Sequence, residues 1–385
     1  SLICMSIYRL PPGGRSIVWD AKATKTAKHK SEGTYNFAAF LKQEESDMRI
    51  ILDGMGGDHA PASVVEGAIL AMKEMEHEIV IVGQQELIEA ELKKHKYDRS
   101  RLSVADAREV ITNDEAPVRA VRTKKDSSIV RGINMVKDGE GDIFISAGST
   151  GALLCGGLFI LGRIRGVDRP ALASIYPIIG GQASLLVDAG ANTECKPANL
   201  LEFAVMGSIY MEKVIGRRSP RVGLVNVGEE AKKGSALVKV TYEMLSESKL
   251  NFVGNVEARE VPKGACDVIV TDGFTGNVIL KLTEGLAWNI LQVIKRKFTE
   301  GIKAKMGAAL LIDKIGGLKK EFDYSEYGGA PILGIKGPIV KMHGSSSANA
   351  VKNTILKGIP YVTENVVATI EQSVLEIEEN TLSED

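Results

Sequence analysis

The chain has 385 residues, of which 44% are hydrophobic and 25% are charged, so it holds enough apolar material for a large core. Its 48 Lys and Arg residues are balanced by 49 Asp and Glu residues, and this net charge of −1 argues against nucleic acid as a partner. The four cysteines lack the spacing of a disulfide framework or a zinc site, which favours a reducing cytoplasm.

Residues 1–47 differ in composition from the rest of the chain. They contain a Pro-Pro-Gly-Gly turn and scattered lysines, and a sustained apolar period begins only at Met48. The acidic residues Glu32, Glu44, Glu45 and Asp47 disfavour a transit peptide. We interpret residues 1–47 as a leader outside the fold, introduced by cloning, and residues 48–385 as a single domain.

From Met48 onward, short β-rich runs alternate with Gly-rich turns and segments of helical period. Residues 49–53 predict a strand, and residues 62–75 predict a helix with Val65, Ile69 and Met72 on one face. Further strands are predicted at 78–83, 142–146, 183–188, 221–226 and 266–272. Their nearly continuous Val, Ile and Leu content indicates burial on both faces. The sequence therefore predicts an α/β fold, a doubly wound α/β/α sandwich with a mainly parallel sheet.

Polar, Gly-rich segments follow the predicted strands, where such sheets bind ligands. Six of them cover residues 53–61, 147–151, 188–192, 226–230, 272–277 and 343–347. We expect these six loops to converge on one edge of the sheet and to form a single cleft.

The loop Gly148-Ser149-Thr150-Gly151 has the composition of an anion site. Glycines let backbone N–H groups approach an oxyanion, and the helix that follows presents its positive end, so phosphate is the natural ligand. For this loop alone, a helix cap at Ser149 or Thr150 remains an alternative. Six such loops together favour a binding site.

Nucleotide motifs do not fit the sequence. Gly54-Met55-Gly56 begins like a dinucleotide fingerprint, but His59 occupies the third glycine position. Lys233-Gly234-Ser235 reverses the order of a P-loop. The sequence therefore predicts no NAD, no ATP and no other cofactor.

The segment 53–61, Asp-Gly-Met-Gly-Gly-Asp-His-Ala-Pro, resembles the amino-terminal signature of the phosphate acyltransferases. Further blocks similar to that family follow in the family order at 146–154, 185–197, 222–234, 254–257, 272–284 and 327–347. Gly54 departs from the family, which more usually has a small side chain such as Ala there. The resemblance implies a fold related to phosphotransacetylases and decarboxylating dehydrogenases such as isocitrate dehydrogenase. It also implies transfer of a fatty acyl group from acyl carrier protein to inorganic phosphate, and the acyl phosphate formed starts phospholipid synthesis.

This reaction requires placement and charge stabilisation more than proton transfer, because phosphate is already anionic and a thiolate leaves readily. We predict that Gly148, Ser149, Thr150 and Gly151 hold phosphate with Lys196, although a solvent-exposed lysine is an equal alternative. Asn192, Asn226 or Asn277 would polarise the carbonyl. Asp272 would orient Lys196 or accept a proton, with a helix cap as the competing role. His343 would donate a proton to the departing sulfur. The remaining predicted substrate-binding residues are Asp53, Gly56, Gly57, Gly273, Gly344 and Ser345.

Two other chemistries are less favoured. Cys195, beside Lys196, would have to carry the acyl group covalently, but no histidine lies near it in sequence to activate its thiol. Asp53 and Asp58 in one turn-rich loop more often accept backbone N–H groups than bind Mg²⁺, and we predict no metal.

A helical excursion is predicted over residues 283–322. Leu286, Ile290, Ile294 and Phe298 recur at helical spacing, which is typical of a homodimer face. The apolar segment 306–312 is framed by lysines, so it suits either shallow insertion into an anionic membrane or burial in the dimer. We expect a cytoplasmic enzyme in transient contact with the membrane and with a membrane glycerol-phosphate acyltransferase. The alternatives are a phosphotransacetylase that uses acyl-coenzyme A and a non-catalytic scaffold.

Overall fold

The computed structural model describes residues 48–180, 182–301, 304, 306–307 and 328–383. Within these residues, eleven strands form one sheet in the order β3-β2-β1-β4-β11-β10-β5-β6-β9-β7-β8. The strands are β1 (Arg49–Asp53), β2 (Glu78–Gly83), β3 (Leu102–Asp106), β4 (Ile143–Ser146), β5 (Ala171–Ile178), β6 (Gln182–Val187), β7 (Val222–Asn226), β8 (Phe252–Glu257), β9 (Val268–Val270), β10 (Ala330–Leu333) and β11 (Ile339–Lys341).

Helices connect these strands and cover the sheet. They are α1 (Ala62–Ala71), α2 (Gln85–Leu92), α3 (Pro117–Thr123), α4 (Ser128–Lys137), α5 (Thr150–Gly156), α6 (Pro197–Lys213), α7 (Ala236–Glu247), α8 (Gly273–Thr299), α9 (Ala348–Thr363) and α10 (Val366–Ser383). A π-helical turn, Gly157–Leu161, continues α5. The predicted α/β fold is confirmed, and each strand predicted from the sequence is present.

Strand direction reverses in the middle of the sheet. Strands β3, β2, β1, β4 and β11 are mutually parallel, and so are β6, β9, β7 and β8. Between these sets, β10 is antiparallel to β11 and to β5, and β5 is antiparallel to β6. Three antiparallel pairings in succession make the two parallel sets run in opposite directions. The expectation that all six loops end at one edge is therefore wrong, because the loops after β6, β7 and β9 belong to the reversed set.

The core lies on both faces of the sheet because side chains alternate along each strand. Ile50 and Leu52 of β1 contribute to the core on one face, which includes residues of α1 and α9. Ile51 contributes to the core on the other face, with residues of α4 and α5. Gly67 permits α1 and α9 to approach closely, since a Cβ atom there would lie 2.5 Å from Cβ of Val351.

The long helix α8 starts before the predicted excursion. It begins at Gly273, directly after Asp272, whose carboxylate accepts the N–H of Thr275 at 2.9 Å and so caps the helix. The part of the predicted excursion at 302–303, 305 and 308–322 lies outside the described residues.

Replacing Leu52 by Ala should lower the free energy of unfolding by about 3 kcal/mol, since this side chain is fully buried in a central strand. The matched change Leu87→Ala on α2 removes the same atoms from a side chain that is 46% exposed and should cost about 0.5 kcal/mol or less. Urea unfolding followed by circular dichroism measures both. Equal losses in the two variants would contradict the placement of Leu52 in the core.

Candidate active site

A buried carboxylate joins the loops that follow β1 and β4. Asp53 is fully buried, and its Oδ1 accepts the N–H groups of Met55 and Gly56 at 3.0 and 3.1 Å. Its Oδ2 accepts the hydroxyl of Ser146 at 2.5 Å, and the Ser146 oxygen in turn accepts the N–H of Gly148 at 2.9 Å. Asp53, a predicted site residue, therefore fixes the conformation of both loops through its hydrogen bonds.

Two glycines allow the backbones of these two loops, and of a third loop, to come into contact. A Cβ atom on Gly56 would lie 2.5 Å from the nitrogen of Gly148, so the first two loops touch through their backbones. Gly57 has a φ of +97°, and a Cβ there would lie 2.8 Å from the carbonyl oxygen of Gly344. The same Gly344 oxygen accepts the N–H of Asp58 at 2.7 Å. The loops after β1, β4 and β11 thus form one interlocked set at one edge of the sheet.

A cleft of about 510 Å³ opens at these three loops and extends along β5 beneath α8. Its polar end includes Gly148, Thr150, Lys341 and His343. Its apolar lining consists mainly of Leu172, Ile175, Ala189, Leu280 and Met342. One cleft thus combines a polar, cationic end with apolar walls.

Some residues of the loop 148–151 line the cleft, and others cap or pack a helix. Gly148 and Thr150 line the cleft. The hydroxyl of Ser149 accepts the N–H of Ala152 and caps α5. Gly151 packs against α3, because a Cβ there would lie 2.6 Å from Cγ of Pro117. The N–H groups in the first turn of a helix have no intrahelical acceptor, which leaves this end of α5 suited to an anion.

Lys341 is a partly buried cation of the cleft that the sequence did not predict. It ends β11, and its Nζ donates to the carbonyl oxygens of Ala147, at 3.4 Å, and of Met342. Burial lowers the pKa of its ammonium to about 8, although the nearby negative charge of Asp53 acts to raise this pKa. The positive charge of Lys281 lowers the pKa further, and the negative charge of Asp58 acts to raise it. The ammonium is therefore held beside the glycine loop in a partly desolvated position.

His343 lies in the cleft, as predicted from the sequence, close to other charged groups. Its Nδ1 lies 2.8 Å from the hydroxyl oxygen of Ser345 and accepts the N–H of Ser345 at 3.2 Å. Burial lowers the pKa of its imidazole, and Lys281 lowers it further while Glu284 opposes. Its proposed donation of a proton stays a prediction.

A second buried carboxylate organises the loop after β6. Asp188 is fully buried and accepts the N–H groups of Leu172 and of residues 190–192. Burial raises the pKa of Asp188, and the N–H donors of Ala191 and Asn192 oppose this. The amide nitrogen of Asn192 donates to Asp188 at 2.9 Å and to the carbonyl oxygen of Pro170 at 2.8 Å. Asn192 thus supports the loop in this structure, and its role as a carbonyl-polarising donor stays a prediction.

The start of α8 packs against this second loop. The N–H of Gly273 donates to the carbonyl oxygen of Asn192 at 2.7 Å, and a Cβ on Gly276 would collide with the carbonyl oxygen of Asp188. From this anchor α8 runs over the cleft and contributes Asn277, Leu280, Lys281 and Glu284 to its lining. Of the three asparagines predicted to polarise the carbonyl, Asn277 is the one that lines the cleft.

Several predicted residues lie outside the cleft lining, and three of them have other surroundings. Lys196 is exposed and precedes α6, near Asp168, whose pKa it helps to lower. Asp272 caps α8, which was its competing role. The side chain of Asn226 is hydrogen-bonded within its own loop, to the carbonyl oxygen of Lys233 and the N–H of Val227. The structure does not bring these three groups to Gly148 and Thr150.

The geometry disfavours Cys195 as a nucleophile. Burial raises the pKa of its thiol to about 11, and its sulfur donates a weak hydrogen bond to the carbonyl oxygen of Asn192 at 3.6 Å. Within the described ranges, no group of three or more His, Cys, Asp or Glu side chains could hold a metal ion.

Comparisons with known proteins agree with this architecture. The chain is similar in fold to a phosphotransacetylase from Streptococcus pyogenes, with a TM-score of 0.55 at 17% identity over 87% of this chain and 99% of the other. The EutD phosphotransacetylase from Staphylococcus aureus gives a TM-score of 0.51 at 17% identity over 85% of this chain and 97% of the other. The fold is therefore that of the phosphotransacetylase class.

Sequence relatives define the family more narrowly. The family described as "Fatty acid synthesis protein" matches residues 48–369. Phosphate acyltransferase from Alkaliphilus oremlandii is 53% identical over 327 residues, covering 85% of this chain and 97% of the relative. Phosphate acyltransferase from Clostridioides difficile is 50% identical over 339 residues, covering 88% and 100%. The chain belongs to the phosphate acyltransferase family and is an acyltransferase, which confirms the resemblance seen in its sequence.

Phosphate should stabilise the protein against heat most strongly when Lys341 is charged. The charge is present below pH about 8 and is lost as the pH rises. We therefore expect the phosphate-induced rise in melting temperature to be larger at about pH 7 than at about pH 9.5, although phosphate itself becomes more negative over that range. Replacing Lys341 by Met should reduce the rise and remove its decline between about pH 7 and about pH 9.5. Differential scanning fluorimetry measures both effects.

Lys352→Met is the matched control. It removes a lysine of α9 that pairs with Glu74 at 2.9 Å and does not line the cleft. A phosphate response that is the same in the Lys341 and Lys352 variants would contradict the assignment of Lys341 to the anion end.

Proposed function

We propose that the protein transfers a long-chain fatty acyl group from acyl carrier protein to inorganic phosphate, giving an acyl phosphate for phospholipid synthesis. The observation that carries the proposal is the cleft, in which Lys341 and the start of α5 lie at one end and apolar walls at the other. A phosphate needs the first environment, and a fatty acyl chain needs the second. The family membership supports phosphate as the acceptor.

Phosphate would bind between the Lys341 ammonium and the backbone of Gly148 and Thr150. One of its oxygens then attacks the thioester carbonyl carbon, the carbon–sulfur bond breaks, and the thiolate leaves with the electron pair. The proton released by the phosphate ends on the thiolate sulfur, with His343 close enough to the cleft to relay it. The amide of Asn277 and the hydroxyl of Thr150 are the donors available to the developing oxyanion, and such donors contribute about 3 kcal/mol each.

Thiol release on purified protein tests this function. With an acyl carrier protein thioester we expect release of thiol only when phosphate is added, together with formation of acyl phosphate. The variant Lys341→Met should lower kcat/KM for phosphate by about 10- to 100-fold, because a charge-assisted hydrogen bond is lost from a partly buried site.

Equal cleavage without phosphate, or no cleavage with it, would refute the proposal. Running coenzyme A thioesters in parallel distinguishes the alternative, a phosphotransacetylase-like enzyme that uses acyl-coenzyme A. The fold shared with phosphotransacetylases is the observation that keeps this alternative open.

We further propose that the protein works as a homodimer formed through α8. Opposite the cleft-facing side of this helix, a stripe of exposed apolar residues recurs at helical spacing, with exposed fractions between 47% and 67%: Val278, Leu282, Leu286, Ile290 and Val293. Apolar area of this kind on a helix surface is typical of a subunit interface.

The variant Leu282→Glu, Leu286→Glu should sediment as a monomer in analytical ultracentrifugation, because two carboxylates would be buried in the interface. Val240→Glu, at a side chain of α7 that is 46% exposed, is the control and should leave the mass unchanged. A dimer that persists in the double variant would contradict this interface.

The proposed function also includes contact with the membrane and with the enzyme that uses the acyl phosphate. Among the residues that the structure describes, no helix is both long and apolar enough to span a membrane. The segment 308–312, which carries most of the predicted membrane patch, lies outside the described residues. We propose a cytoplasmic enzyme that touches the membrane surface, where a glycerol-phosphate acyltransferase takes up its product. Liposome sedimentation unchanged by Leu310→Glu and Leu311→Glu would count against this contact.

A further inference from the structure

An exposed patch of apolar and cationic residues lies on α3 and on the π-helical turn that continues α5. We call it the basic patch and define it as Val118, Arg119 and Arg122 of α3, Phe159 of the π-helical turn, and Lys336. Val118 and Phe159 are 45% and 51% exposed, and the three cations are exposed. The guanidinium of Arg122 lies over the ring of Phe159, 5.2 Å from its centre, which joins the two elements.

The backbone of Lys336 lies next to the segment that follows Phe159. Its N–H donates to the carbonyl oxygen of Gly162 at 3.0 Å, three residues after Phe159. Arg119 lies one helical turn before Arg122, and therefore on the same side of α3. The members of the patch are thus neighbours in space, although they come from three segments of the chain.

The cations of the basic patch have no carboxylate partner among the described residues. The carboxylates closest to α3 in sequence are already engaged: Glu115 pairs with Lys124 at 2.8 Å and Asp126 with Arg131 at 3.1 Å. Asp114, on the loop before α3, is exposed, and its single negative charge does not balance the three cations of the patch.

Two other arginines of the chain differ in this respect, because each forms an ion pair. Arg163 is paired with Asp168 at 3.3 Å, and Arg217 with Asp267 at 3.8 Å. Their charge is partly neutralised within the protein. The uncompensated positive charge of the basic patch is therefore available to an acidic partner.

The helix that carries most of the basic patch also contacts the glycine loop of the cleft. Pro117, the first residue of α3, packs on Gly151, and Asn113 of the preceding loop lines the cleft. Arg122 lies five residues beyond Pro117, about 8 Å along the helix, and Phe159 lies roughly 14 Å beyond Thr150 along α5 and its π-helical turn. A partner docked on the patch would hold a flexible thiol arm within reach of the cleft.

We propose that the basic patch docks the acyl carrier protein, a small acidic protein, while its acyl thioester arm enters the cleft between Asn113 and Thr150. This inference rests on the proposed function and adds the surface that recognises the donor. Exposed aromatic and arginine side chains with a cationic rim are the composition that specific protein interfaces favour. Charge at such a rim speeds encounter and makes binding depend on salt.

The test compares two donors that carry the same acyl chain, one on acyl carrier protein and one on pantetheine, which has no protein. The variant Arg119→Glu, Arg122→Glu should raise KM for the carrier protein thioester about tenfold or more, with kcat little changed. It should also flatten the dependence of kcat/KM on salt. The pantetheine thioester should react as with the wild type, because neither arginine lines the cleft.

Arg119→Lys, Arg122→Lys should retain most of the wild-type KM, since the charge is kept. Arg218→Glu is the matched control: Arg218 is exposed on the loop between α6 and β7, and its reversal should leave both donors unaffected. A loss seen with Arg218→Glu instead would move the docking surface there and overturn the proposal.

The remaining outcomes separate the docking surface from the function itself. Equal losses on both donors, or no change on the carrier protein thioester, would overturn the docking surface while leaving the reaction intact. A wild-type enzyme that releases no thiol from acyl carrier protein, or releases it without phosphate, would instead refute the proposed function.

Discussion

The buried carboxylate of Asp53 is the constraint on which the anion end of the cleft depends. It accepts two backbone N–H groups of its own loop and the hydroxyl of Ser146, which holds Gly148 in turn. A buried carboxylate is stable when its oxygens are fully hydrogen-bonded, so loss of any partner is costly. The glycine loop is thereby fixed before a ligand arrives. Such preorganisation is what a site needs when its main task is to place an anion against a carbonyl group.

The antiparallel strands in the middle of the sheet determine which other loops end at the same edge as the anion end of the cleft. Because β10 and β5 reverse the sheet direction, the loop after β6 belongs to the opposite set, and Asp188 organises it separately. Helix α8 starts at this second loop and returns over β5, which brings Asn277 and Lys281 above the cleft. The helix thus links the two loop systems, and Ala189 of the second loop also lines the cleft.

The sequence predicted six of the eleven described strands, the fold class, the glycine loop and the place of His343 near it, because these features have local patterns. It could not predict the reversal at β10 and β5, because pairing between distant segments leaves no local pattern. Lys341 was missed for a similar reason: in Ile339-Val340-Lys341-Met342 a single lysine looks like the solvent side of a strand, and its burial comes from loops far away in the chain. Lys196 was favoured by its place after a strand, but it lies near Asp168 and not in the cleft.

Asp272 and Asn226 illustrate a second limit. Both follow strands and both are residue types that occur in active sites, yet their hydrogen bonds serve a helix cap and a turn. A polar residue after a strand is often required by the backbone there, so its type alone does not separate the two roles. The cleft lining separates them, because it shows which side chains share a space with Gly148 and Thr150.

Helix α8 is firmly packed at its start and loosely packed beyond it. Its buried residues are Gly273 and Gly276, and farther along the hydroxyl of Thr283 lies 2.9 Å from that of Tyr176. This 27-residue helix is therefore anchored at the Asp188 loop and extends away from it. Lys281 and Glu284, which line the cleft, stand on the same continuous helix as its distal turns, so the surroundings of those turns are part of what positions the cleft wall.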